Sequence, residues 1–158
     1  MKIRFYNARI MTMTDGCALL EGELWVENDR ILYIGDGSDL DDFYKRTGKD
    51  CIVWDREIDC EGHVLMPGFK DAHTHSAMVA MRSFADDMPL QEWLNTKIFP
   101  LEAKMTDQDN YDLTQLAILE YLTSGVTSIF DMYLSPKDIA QACVDMGMRC
   151  VLVSGLNQ

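Results

Sequence analysis

Paired cysteines, basic clusters and long apolar runs are all missing from this sequence, and each absence removes a class of protein. The five cysteines, Cys17, Cys51, Cys60, Cys143 and Cys150, form no Cys-x-x-Cys pair and are odd in number. A secreted disulfide framework and a cysteine zinc site are therefore unsupported, and reduced, structural cysteines are expected. Lys and Arg total 14 against 26 Asp and Glu, a formal net charge of -12. Phosphate backbones and anionic membrane surfaces are held by clustered basic residues, so neither a nucleic acid polymer nor a membrane is an expected partner. At the start, Met1-Lys2-Ile3-Arg4-Phe5-Tyr6-Asn7 interrupts its apolar residues with charge. That leaves no signal-peptide core and no spanning stretch, and a cytoplasmic protein is expected.

What is present is enough apolar material, 47% of 158 residues, for an ordinary core. It comes in two textures. Up to about Gly62 the apolar residues fall in short period-two runs: Ile3, Phe5, Ala8 and Ile10; Leu20, Leu24 and Val26; Ile31, Tyr33 and Ile34; Ile52, Val53 and Ile58. Asp15-Gly16, Asn28-Asp29, Asp36-Gly37 and Glu61-Gly62 punctuate them as turns. A small antiparallel β-sandwich region is expected over residues 1–65, with one short helix at 40–46.

Beyond Met66 the pattern becomes strand and helix in alternation. Thr106 or Asp107 can cap a helix running to about Ser124, with Leu113, Leu116, Ala117 and Tyr121 on one face and Gly125 as its left-handed stop. The run Val126-Thr127-Ser128-Ile129-Phe130 reads as a strand ending at Asp131. Ser135-Pro136-Lys137-Asp138 reads as a capping-box-like start to a second helix that turns Ile139, Ala142, Cys143 and Met146 inward and stops at Gly147. Arg149-Cys150-Val151-Leu152-Val153 is a further strand. The expected fold class is α/β, residues 66–158 forming the first three strands of a parallel (β/α)8 barrel. A whole barrel takes roughly 200 to 250 residues, so a truncated barrel is expected, inactive and aggregation-prone on its own.

The chemistry concentrates at His73 and His75. The apolar run 64–69 reads as a strand covered on both sides, with both histidines at its carboxyl end, where barrel folds place their chemistry. Side chains alternate along a strand, so His73 and His75 leave the same face and can reach one metal ion. Neutral imidazole suits zinc and other divalent transition metals. His63, before that strand, reads as a surface or packing residue.

Pro67-Gly68-Phe69-Lys70-Asp71-Ala72-His73-Thr74-His75 resembles the first-strand signature of the amidohydrolase superfamily, metal-dependent hydrolases on a (β/α)8 barrel with a small β-sandwich. Met81-Arg82-Ser83-Phe84-Ala85-Asp86-Asp87, Pro89-Leu90-Gln91-Glu92-Trp93-Leu94, Ile98-Phe99-Pro100-Leu101-Glu102 and Asp131-Met132-Tyr133 resemble its aminohydrolase branch, which holds 5-methylthioadenosine/S-adenosylhomocysteine deaminases and related chlorohydrolases.

The resemblance implies that His73 and His75 are metal ligands for Zn²⁺, Fe²⁺ or another divalent ion. It implies that Glu102 contacts ribose hydroxyls, which a carboxylate can accept in pairs, and that Trp93 lines the pocket, unless Trp93 is plain core. The implied reaction is hydrolytic deamination of a nucleoside or related N-heterocycle by a metal-activated water. The remaining ligands and the catalytic acid and base are expected beyond this chain, and the expected partners are a small heterocyclic substrate and further copies of the chain. Ser154 stands where the branch often has an arginine, which removes a partner for the carboxylate of S-adenosylhomocysteine. Asp71 replaces a common asparagine, as in hydantoinase and dihydroorotase branches, so cyclic-amide hydrolysis stays open, as does a non-catalytic fragment.

Overall fold

The computed structural model describes residues 1–16, 19–49, 51–85 and 87–153. Ser154 lies outside the described residues. The chain divides into two compact units, Met1–Pro67 and Gly68–Gln158.

In the first unit, β1 (Lys2–Ile10), β2 (Leu20–Glu27) and β3 (Arg30–Gly35) form an antiparallel meander. Helix α1 (Leu40–Thr47) follows, with acids in its first turn, bases in its last and Gly48 as a left-handed cap, the arrangement favoured by the helix dipole. The short strands β4 (Arg56–Asp59) and β5 (Val64–Leu65) then both pair parallel to β1. The expected antiparallel assembly is thus corrected for two of its five strands, and what forms is one mixed sheet. The cause is the return path: the chain re-enters beside β1, on the edge opposite β3, after α1 has carried it across. Trp25, Tyr33 and Phe43 pack as an aromatic cluster beneath the sheet. Arg4 donates to both Glu23 and Glu57 across neighbouring strands.

In the second unit, β6 (Phe69–Thr74), β7 (Val126–Met132) and β8 (Arg149–Val153) form a parallel sheet in sequence order. Here the expected first barrel strand shifts. Residues 64–69 are not one strand: Val64 and Leu65 belong to the first sheet, and the strand of the second sheet starts at Phe69. Pro67 has no N–H for a ladder, and a Cβ at Gly68 would lie 2.3 Å from the Thr127 side chain, so the run breaks between the two sheets. Nor is it covered on both sides, since Val64, Met66 and Phe69 are exposed.

Between β6 and β7 lie a 3₁₀ turn (Ser76–Met81), the short helices α2 (Leu90–Trp93) and α3 (Phe99–Glu102) joined by a π turn (Leu94–Ile98), and the long helix α4 (Asp107–Thr123). In a regular α-helix the Pro100 ring would collide with the carbonyl four residues back; the wider turn, closed by Phe99 N–H to the Leu94 carbonyl, avoids this. Helix α4 starts with a complete capping box between Thr106 and Asp109. Its inward residues are Asn110, Thr114, Ala117 and Ile118, whereas Leu116 faces out, correcting the expected stripe. Helix α5 (Pro136–Met146) buries Ile139, Ala142 and Cys143 as expected, but Ser135 makes no capping bond because it adopts a left-handed backbone, φ 51°. The core joins α4 and α5 to one face of the sheet through Ile118, Ile129, Ile139, Ala142 and Cys143.

Candidate metal and substrate site

His73 sits in the last turn-ward residues of β6 and His75 immediately follows the strand, capping the 3₁₀ turn. Their ring centroids are 5.1 Å apart at 76°. The structure therefore brings together the two imidazoles that the spacing singled out. His75 Nδ1 lies 2.5 Å from the Met132 carbonyl oxygen at the end of β7. A carbonyl only accepts, so Nδ1 carries the proton and the Nε2 lone pair is left free for a cation. His73 is exposed and its amide is held by Asp71 Oδ1 at 3.1 Å.

A divalent ion fits this donor set as far as it goes: two neutral nitrogen ligands, one with its second nitrogen already oriented, match half of a zinc shell. Among the described residues no three His, Cys, Asp or Glu side chains converge. His63 is remote from this pair in role: its Nδ1 closes a turn onto the Cys60 carbonyl at 2.8 Å.

The turn after the histidines is tied down from two sides. Ser76 N–H donates to Asp131 Oδ2 at 2.9 Å, and Thr74 and Ser76 hydroxyls both meet the Tyr121 phenol of α4. Asp131 is buried, 1% exposed, and burial pushes its carboxyl above the ordinary range.

Beside His75 opens a largely apolar cleft of about 410 Å³, walled by Met78, Leu90, Trp93, Phe99 and Met132 and carrying the Glu102 carboxylate. Both expected substrate residues, Trp93 and Glu102, thus face the same space as His75. Trp93 is not core: it is half-buried, and its indole N–H donates to the Phe84 carbonyl at 3.0 Å. Glu102 ends α3 rather than starting a helix. Tyr133, given no role of its own by the sequence, is buried and lines the same cleft; burial first and the Glu102 carboxylate second push the phenol well above its ordinary range. The residues Asp131-Met132-Tyr133 had been legible only as part of a resemblance, because nothing local marks a strand end as a clamp.

Residues 64–156 match the model of the amidohydrolase family. The chain belongs to the amidohydrolase family. This amidohydrolase chain is 46% identical over 136 residues to a 5-methylthioadenosine/S-adenosylhomocysteine deaminase of Desulfitobacterium hafniense (strain DSM 10664 / DCB-2), covering 86% of the chain and 30% of the relative. To the enzyme of the same name from Syntrophomonas wolfei subsp. wolfei (strain DSM 2245B / Goettingen) it is 41% identical over 157 residues, 99% of the chain and 34% of the relative. Its fold superposes on a zinc-bound adenosine deaminase from Xanthomonas campestris with TM-score 0.81 and 28% identity, over 94% of the chain and 33% of that structure. The chain spans about a third of the length of the curated relatives it matches. Among the described residues no helix is long and apolar enough to cross a membrane.

Proposed function

We propose that this chain forms the first three strands of a (β/α)8 barrel in a metal-dependent hydrolase that deaminates an adenosine-type nucleoside or a related N-heterocycle. The observation that carries the reading is the pairing of His73 with His75, the latter lining a cleft whose only carboxylate on the named wall is Glu102. The deaminase names of the relatives support the reaction class.

In this reading His73 and His75 hold a zinc-like ion through their free ring nitrogens. Such an ion, when bound, lowers the pKa of a coordinated water to about 7 and so supplies a nucleophile at neutral pH. The chain's own residues bind and orient. Met132 fixes the tautomer of His75 through its carbonyl. The apolar wall of Trp93, Leu90 and Phe99 receives a flat ring and excludes water, while Glu102 accepts hydroxyl hydrogen bonds from the sugar. Tyr133, buried beside the cleft, directs its hydroxyl to Met105 Sδ at 3.8 Å.

Cyclic-amide hydrolysis rests only on Asp71, and here Asp71 is engaged with the backbone amide of His73. The test is ammonia release from 5-methylthioadenosine, adenosine and guanine, and ring opening of a hydantoin to its N-carbamoyl amino acid, by the full-length protein with zinc. Release from an adenosine derivative, abolished by His73→Ala, is expected; turnover of hydantoin alone would overturn the assignment.

A further inference from the structure

We propose that Asp131 is a positioning residue that, by holding the Ser76 peptide, keeps His75 in the orientation in which the Met132 carbonyl sets its tautomer. The proposal rests on the reading of His75 as a metal ligand. Its ground is geometric. Asp131 lies at the end of β7, is 1% exposed, and has one carboxylate oxygen, Oδ1, with no hydrogen-bond partner among the described residues. An apolar side chain would cost far less at such a place, so a buried carboxylate there requires a reason.

The other oxygen supplies it. Oδ2 accepts the Ser76 amide at 2.9 Å, fixing the residue directly after His75, while the next residue on the same strand, Met132, offers its carbonyl to His75 Nδ1 at 2.5 Å. One stretch of β7 thus grips the histidine at its ring and at the following peptide. A free imidazole ring turns about its side-chain bonds; one held at both points presents Nε2 in a single direction. Tyr121, bonded to the Thr74 and Ser76 hydroxyls, closes the turn from the helix side. Partners of this kind, beyond the ligands themselves, typically change metal affinity by about 10- to 100-fold when removed.

The experiment is run on the full-length protein carrying Asp131→Ala or Asp131→Asn, with folding checked by circular dichroism. Long-range ¹⁵N correlation spectra, recorded without metal, read which ring nitrogen of His75 bears the proton. Competition with a chelating dye reads the zinc dissociation constant. Expected are a folded Asp131→Ala with His75 no longer held as the Nδ1–H tautomer and zinc bound about 10- to 100-fold more weakly, and an Asp131→Asn that restores both, because an amide oxygen can still accept from Ser76. A folded Asp131→Ala with unchanged tautomer and zinc affinity overturns the proposal, as does a folded Asp131→Asn that loses the tautomer. If the alanine variant does not fold, wild-type amide exchange decides: a protected Ser76 amide supports the grip, and one exchanging at open-loop rates overturns it. Zinc held no more tightly by wild type than by His73→Ala would instead defeat the metal reading, and the metal-free tautomer measurement still judges Asp131.

Discussion

One carboxylate, one phenol and the His75 imidazole set the polarity of an otherwise apolar cleft. Glu102 faces the space shared by His75 and Trp93, and Tyr133 stands behind it. If Glu102 accepts substrate hydroxyls, Glu102→Gln exchanges a charged acceptor for a neutral one, and hydrogen bonds to charged groups contribute about 1.5–3 kcal/mol. The expected outcome is a rise in KM of about tenfold or more for a nucleoside, with a smaller change for the free base, which lacks the sugar. Steady-state kinetics on the nucleoside and base pair checks it; equal effects on both would place Glu102 elsewhere. At the same scale the histidines were legible because spacing alone places them near one another. Asp131 and Tyr133 were not, since their roles depend on what α4 and the 3₁₀ turn bring against them.

Among the elements, α4 carries the clearest local signal. Thr106 accepts the Asp109 amide at 3.2 Å while Asp109 accepts the Thr106 amide at 2.8 Å. Thr106→Ala removes one half of this box and is expected to cost about 1 kcal/mol near neutral pH, read by denaturant unfolding. The Asp109 carboxyl is held below its ordinary range, by the Thr106 backbone amide first and its hydroxyl second. A folded value below the unfolded one adds stability above the unfolded pKa and loses it as pH falls through the folded pKa. The gap between wild type and Thr106→Ala should therefore narrow in acid below about pH 4; a gap independent of pH would separate the cap from Asp109. Gly68→Ala is the second test at this scale. Its Cβ would meet the stiff Thr127 side chain at 2.3 Å, so destabilisation of about 1–3 kcal/mol is expected. A neutral Gly68→Ala would show that β6 can slide.

The second unit covers one face of its sheet and leaves the other bare. Ile129 and Asp131 turn toward the helices, while Phe130 and Met132, opposite Val151 and Val153 on β8, stay exposed. A parallel sheet with an open apolar face is unusual, because such sheets are ordinarily covered on both sides. Residues 1–158 in isolation are expected to self-associate with rising concentration in sedimentation velocity, and Phe130→Lys with Val151→Lys to suppress it. A monomeric wild-type chain at high concentration would contradict this.

Period-two runs, a capping box, glycine stops and a His-x-His pair were enough to establish alternating β and α elements and the residues worth watching, because each is a local consequence of backbone geometry. The break at Gly68, the parallel return of β4 and β5 and the outward turn of Leu116 were decided by contacts between residues distant in the chain. The candidate site divides the same way. Two imidazoles are written one residue apart, but the carbonyl that orients one of them lies 57 residues on, at the end of a neighbouring strand, and only the folded sheet brings it within reach.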